Sequence, residues 1–139
     1  MKAIFLILLF ILFSTSISAL TVINEFMYNP SGEDNNKEFI EIFSDDNVTF
    51  ENYTIQDLSG NKDELKLIKK VDSQYSLIIE DDFYYSSINA SIYAVGNTIG
   101  NGLNNDKDAI IIFDDKGKIL DLVYYSSDWG GDNNGKSLE

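Results

Sequence analysis

The chain has 139 residues and a formal net charge of −13, and it contains neither cysteine nor histidine. The missing residue types exclude disulfides, Ser-His and Cys-His catalytic pairs, and the usual zinc and haem ligands. Every basic residue is a lysine. Because a domain this acidic repels the phosphate backbone, we expect no binding to DNA or RNA.

The first nineteen residues differ from the rest of the chain. Lys2 is their only charge, residues 3–13 are almost wholly apolar, and small residues lead up to Ala19. This layout predicts a secretory signal peptide over residues 1–19. An uncleaved anchor is the alternative, although the apolar run is shorter than the roughly 20 residues that a membrane-spanning helix needs. We expect a secreted or cell-envelope protein with no membrane span after cleavage.

Residues 20–139 are long enough for one domain, and they contain short strand-like segments separated by turns. No segment shows helical periodicity over a helix-length window, although residues 64–70 also fit one helical turn. In chain order, the strands are expected at residues 21–28, 38–44, 53–57, 64–68, 75–80, 92–95, 109–113 and 119–124, with the start of a last strand at 136–139.

A β-hairpin is the clearest element of this pattern. Residues 109–113 are apolar and mostly β-branched, residues 114–117 form a turn that ends in Gly117, and residues 119–124 return as the second strand. Two strands are not stable alone in water, so the other strands must supply a second sheet. The sequence therefore predicts an all-β, antiparallel β-sandwich or barrel of about seven to nine strands.

The order of several motifs resembles the lamin tail domain family. The matching segments are INEFMYNPSG at residues 23–32, KEFIEIFS at 37–44, ENYTIQD at 51–57, the hairpin at 102–125, and DWGGDNNGKSLE at 128–139. Phe39 stands where the family usually has Trp, and Asn52-Tyr53 replaces a Gly-Trp pair. The resemblance implies an immunoglobulin-like antiparallel β-sandwich without catalytic residues. It is consistent with a binding or scaffolding module, which in exported prokaryotic relatives often accompanies other domains.

We therefore expect an exported, non-catalytic binding or scaffolding module without a cofactor, whose partner is a protein or carbohydrate at the cell surface. The alternative is a carboxylate-dependent extracellular hydrolase, or an accessory domain of one. Glu25, Glu38 and Glu41 lie on two strands that could be neighbours, and a carboxylate pair about 5–9.5 Å apart can hydrolyse glycosides. The competing interpretation is that these carboxylates accept hydrogen bonds at a strand edge.

Two other groups of residues are candidates for ligand binding. Phe83, Tyr84 and Tyr85 in a polar loop, together with Trp129, either pack in the core or form a binding face. Acidic and Asn-rich loops could bind calcium, with Asp106 and Asp108 as the favoured ligands because they precede the hairpin. The same residue types also build ordinary turns, and no loop has the spacing of a known calcium motif.

Three sequons mark possible glycosylation sites in an exported chain. They begin at Asn47, Asn52 and Asn89, in expected loops or strand ends.

Overall fold

A computed structural model describes residues 19–139, so the expected signal peptide lies, except for Ala19, outside the described residues. Nine strands and one short 3-10 helix form in this part of the chain, which confirms the all-β expectation. The elements are β1 (Thr21–Met27), β2 (Phe39–Ser44), β3 (Thr54–Gln56), β4 (Lys62–Glu64), β5 (Lys66–Lys69), β6 (Tyr75–Ile79), β7 (Ser91–Ala94), β8 (Lys107–Phe113), β9 (Ile119–Ser126) and the 3-10 turn Ser127–Trp129.

The strands form two sheets. The first sheet has the order β1-β2-β6-β7-β5 and the second has the order β4-β3-β8-β9. β6 and β7 pair in parallel, whereas the other described pairings are antiparallel. The expectation of a wholly antiparallel sandwich is therefore wrong at this pair. The physical reason is the connection at residues 80–90, which crosses the sheet and returns the chain to its starting end, as parallel neighbours require.

The strand expected at residues 64–68 is in fact two strands in different sheets. β4 pairs with β3 in the second sheet, and β5 pairs with β7 in the first. Leu65 lies between them and is fully buried. Its backbone N–H donates to the carbonyl of Tyr53 at 2.8 Å. The break between β4 and β5 places the Leu65 side chain in the core between the two sheets.

The core lies between the two sheets and follows the strand alternation. In β2, Ile40 and Ile42 are fully buried while Phe39 and Glu41 are only half-buried on the opposite face. Such period-2 burial is typical of a strand with one face on a core. The central residues are Phe26, Ile40, Ile42, Ile78 and Tyr93 from the first sheet, and Ile55, Ile110, Ile112 and Tyr125 from the second.

The predicted hairpin is confirmed as β8 and β9. Asp114 Oδ1 accepts hydrogen bonds from the backbone N–H groups of Lys116 and Lys118 at 2.9 and 2.8 Å, and Gly117 has a positive φ of 80°. The expected last strand is shorter than predicted. Leu138 forms only an isolated antiparallel bridge with Phe26, through two backbone hydrogen bonds of 2.9 Å.

Candidate functional site

The outer face of the first sheet, which points away from the core, carries a second apolar cluster. Leu77, Ile79 and Ile92 are buried there because the loop of residues 81–90 packs over them. The Phe83 ring lies edge-on to the ring of Phe39, with 6.1 Å between the centroids. This loop also connects β6 to β7. The same connection therefore makes the two strands parallel and covers the outer face of the first sheet.

The aromatic residues of the loop divide between packing and exposure. Phe83 and Tyr85 are half-buried and pack on the apolar cluster, whereas Tyr84 is 89% exposed. Lys69 Nζ donates to the Ile88 carbonyl at 2.9 Å and holds the far end of the loop against β5. Trp129, the remaining candidate, is 61% exposed on the 3-10 turn that follows β9 in the second sheet.

Beside the loop, two carboxylates face each other across β1 and β2. Glu25 and Glu41 are register partners in this antiparallel pair, next to an irregularity between Ile23 and Glu25. The side-chain amide of Asn24 donates to Glu41 Oε1 at 2.8 Å. The Ser137 hydroxyl donates to Glu25 Oε1. Both carboxylates therefore accept side-chain hydrogen bonds, Glu25 on the edge strand β1 and Glu41 on the neighbouring strand β2, and both are half-buried.

These carboxylates stand at the centre of a shallow groove. Two hollows of about 380 and 250 Å³ adjoin on the outer face and share Glu25, Glu41 and Ile88. We call them together the outer-face groove. The other side chains lining it are Asn24, Tyr75, Asn89, Ala90 and Glu139 in the larger hollow, and Phe39, Leu77 and Phe83 in the smaller one.

Glu38 does not belong to the same groove, although it is close to Glu41 in sequence. It is 4% exposed, and its Oε2 accepts the backbone N–H of Leu103 at 3.1 Å. Burial raises the pKa of Glu38 to about 8. The Leu103 amide lowers the pKa, whereas repulsion from the Glu80 charge raises it further. The three glutamates that the sequence grouped are thus separated into a facing pair and a buried residue at another site.

The loop before β8 is held by a set of buried or half-buried carboxylates. Successive backbone N–H groups of the loop donate to acidic side chains that come from four different parts of the chain. These contacts are Gly100 to Asp63 at 2.6 Å, Asn101 to Asp57 at 3.1 Å, Leu103 to Glu38 at 3.1 Å, and Asn104 to Asp108 at 3.0 Å. A charge-assisted hydrogen bond to a backbone amide is among the stronger kinds. Four acidic side chains of this protein therefore hold the loop before β8 in place.

Asp57 and Asp63 differ in how this environment changes their pKa. Burial raises the pKa of Asp57, but donation from the Asn61 side chain and from several amides outweighs it, so the pKa lies below the ordinary value. Burial raises the pKa of Asp63, and the Gly100 amide offsets this only in part. No sequence motif distinguishes either residue. Their only sequence signal is a position beside turn residues, which most aspartates in this chain share.

The two aspartates favoured as calcium ligands have different environments. Asp108 is 5% exposed and accepts three backbone N–H groups, those of Leu58 and Ala109 on Oδ1 at 2.8 Å and that of Asn104 on Oδ2 at 3.0 Å. Asp106 is exposed. Both line a cavity of about 360 Å³. Asp108 thus has an evident structural role, and calcium binding by this pair stays a prediction.

The three sequons lie on exposed asparagines. Asn47 is hydrogen-bonded to Asp72 and, at 3.3 Å, to Lys70. Asn52 has a positive φ of 67° in the turn before β3. Asn89 lines the outer-face groove, so a glycan attached there would cover part of it.

Within residues 19–139, no group of three or more His, Cys, Asp or Glu side chains is arranged to enclose a metal ion. No helix of this described range is long and apolar enough to cross a membrane. The fold and the groove define an all-β sandwich with an acidic, partly apolar depression on one sheet. No family model, curated protein or solved structure matches the chain.

Proposed function

We propose that this protein is an exported, non-catalytic binding module, and that its outer-face groove takes a basic segment of a partner protein at the cell surface. The observation that carries the proposal is the pairing of Glu25 with Glu41 beside the apolar side chains of Phe39, Leu77 and Phe83. A lysine or arginine of the partner would sit between the carboxylates, and its aliphatic stem would pack on the apolar side.

The charges of the protein support a basic partner. No lysine is among the described residues that line the groove. The whole chain carries a net charge of −13, which would speed the encounter with a cationic surface and repel an anionic one. The same charges support our proposal that the protein binds neither DNA nor RNA.

The sequence motifs also support a lamin-tail-like module. The segments that resemble the family lie on β1 and its turn, on β2, on β3, and on the β8–β9 hairpin, which together contribute to both sheets. We therefore propose a lamin-tail-like, immunoglobulin-like fold, and the signal-like residues 1–19 support a secreted or cell-envelope location.

A labelled peptide tests the groove. The probe is a fluorescein-labelled peptide of alternating lysine and leucine, titrated with the purified protein at physiological salt and followed by fluorescence anisotropy. We expect Glu41→Lys to weaken binding by about tenfold or more, because it places a cation beside Glu25. Glu51→Lys is the matched control, since Glu51 is exposed in the turn before β3 and the change in net charge is identical.

Equal losses in the two variants would show attraction to the net charge alone and would overturn the proposal for the groove. Binding of a neutral oligosaccharide that survives Glu41→Lys but is lost in Phe39→Ala would identify carbohydrate as the ligand class instead.

The facing carboxylates also allow a test of the alternative that the protein is a hydrolase. Glu25 and Glu41 are opposite each other in one open groove, as a glycosidase pair would be. Hydrolysis of aryl glycosides that is abolished in Glu41→Gln, at an unchanged melting temperature, would make the protein an enzyme and refute the non-catalytic assignment.

A further inference from the structure

Another pocket lies at the end of the first sheet, between the loop before β2 and the loop before β8. Its volume is about 340 Å³. The side chains that line it are almost all oxygen-bearing: Asp34, Asn35, Glu38, Glu80, Thr98, Asn101, Asn104 and Asn105, with Gly102 and Leu103 completing the wall. Carboxylate, amide and hydroxyl oxygens without nitrogen or sulfur ligands are the donor set that hard cations prefer.

Glu80 is the feature of this pocket that the fold leaves unexplained. Its side chain is 2% exposed, and Oε2 has no hydrogen-bond partner among the described residues. Burial raises the pKa of Glu80 above its ordinary value, although the backbone N–H groups of Glu38, Asn36 and Lys37 interact with the same carboxylate and oppose that shift. A buried carboxylate oxygen without a partner is costly, so a proton, an ordered water or a cation is needed to satisfy it.

Glu38 adds a second buried carboxylate to the same pocket. Glu38 is 4% exposed and lines the pocket together with Glu80. Like charges in one poorly solvated site cannot all ionise without a counter-charge. Asp34 is half-buried and lies beside them.

We propose that this pocket binds a calcium-like divalent cation through Glu80 and Glu38. The side-chain oxygens of nearby asparagines would provide further ligands. Because residues 19–139 offer no compact group of three acidic ligands, water must complete the coordination shell. Calcium tolerates such a mixed shell of six to eight oxygens, whereas magnesium demands a nearly ideal octahedron. This site is separate from the outer-face groove, and it differs from the pair formed by Asp106 and Asp108.

Isothermal titration calorimetry with CaCl₂, on protein first treated with chelator, tests the proposal. We expect one calcium per chain with a Kd of about 10⁻⁴–10⁻³ M, the range of extracellular modules. Affinity should fall at acid pH, because carboxylate ligands must be deprotonated to bind a cation.

Variants locate the site. Glu80→Gln should weaken calcium binding by about tenfold or more. Glu51→Gln, at an exposed position in the turn before β3, is the control and should leave binding within about twofold. Asp106→Asn shows whether the cation binds in the neighbouring cavity instead. MgCl₂ serves as the comparison ion and should bind more weakly than calcium. If Glu80→Gln does not fold, Glu38→Gln replaces it, since it removes the second proposed ligand and should also weaken calcium binding.

Three outcomes would overturn the proposal. The first is no heat of binding at pH 8.5 with 10 mM CaCl₂, which is roughly ten times the weakest expected Kd. That result would mean that a shared proton alone neutralises Glu38 and Glu80. The second is equal affinity in the wild type and Glu80→Gln. The third is loss of binding in Asp106→Asn alone, which would place the cation at Asp106 and Asp108. None of these outcomes bears on peptide binding in the outer-face groove.

Discussion

The carboxylate of Glu38 accepts a hydrogen bond from the backbone N–H of Leu103 at 3.1 Å, although 65 residues separate the two in sequence. The contact fixes the loop before β8 against the start of β2, and both residues are buried. Burial raises the pKa of Glu38 from 4.5 to about 8. The folded protein therefore holds a proton at neutral pH that the unfolded chain releases.

This difference predicts how stability depends on pH. The contribution of Glu38 should be fully present below pH 4.5 and should be lost as the pH rises to about 8, because the folded state binds more protons across that interval. At roughly 1.4 kcal/mol per pKa unit, the total is on the order of a few kcal/mol. Urea denaturation of wild type and Glu38→Gln, with chelator present, measures it. We expect the glutamine variant to lose this slope, and parallel pH profiles would contradict the prediction.

Asp108 should matter far more for stability than Asp106. Asp108→Ala leaves the amides of Leu58, Asn104 and Ala109 without their acceptor, and a buried unsatisfied group costs about 1–3 kcal/mol. We expect a loss of about 3 kcal/mol or more in the free energy of unfolding. Asp106→Ala is the control at an exposed position and should change it by no more than about 0.5 kcal/mol. Equal effects in the two variants would refute the structural role of Asp108.

Gly100 and Gly117 provide a matched pair of glycines with positive φ. A Cβ at Gly100 would lie 2.7 Å from Asp57 Oδ2, whereas a Cβ at Gly117 would meet nothing within 4 Å. Alanine at either position has the left-handed backbone cost of roughly 1–2 kcal/mol. Gly100→Ala should lose more stability than Gly117→Ala, because it also displaces the Asp57 carboxylate. Thermal melts compare the two, and similar melting temperatures would contradict the expected steric conflict.

The loop over the outer face offers a test with adjacent residues. Phe83→Ala removes the ring packed edge-on against Phe39 and should cost about 1–3 kcal/mol. Tyr84→Ala alters a side chain that is 89% exposed, and it should stay within about 0.5 kcal/mol of wild type. Hydrogen exchange in β6 and β7 should increase only in Phe83→Ala. Increased exchange in Tyr84→Ala would show that Tyr84 also holds the loop.

The sequence was sufficient for most of the strands and for the hairpin, because the signals for both are local. Alternation in residues 39–44 and the turn ending at Gly117 depend on the period of two and on the φ that glycine tolerates. These features predicted an all-β sandwich. They also placed Phe39 and Glu41 on one strand face, which is the face that carries the outer-face groove.

Tertiary structure decided which carboxylates meet and which are buried. Glu25 faces Glu41 only because of the β1–β2 register, and Glu38 joins Glu80 only because β2 pairs with β6. The break at Leu65 and the parallel crossover likewise depend on core packing between distant segments. An aspartate or glutamate that accepts a hydrogen bond from a buried amide looks the same in the sequence as one in a solvated turn, because the amide belongs to a distant part of the chain. Only the folded arrangement of those partners distinguishes the two.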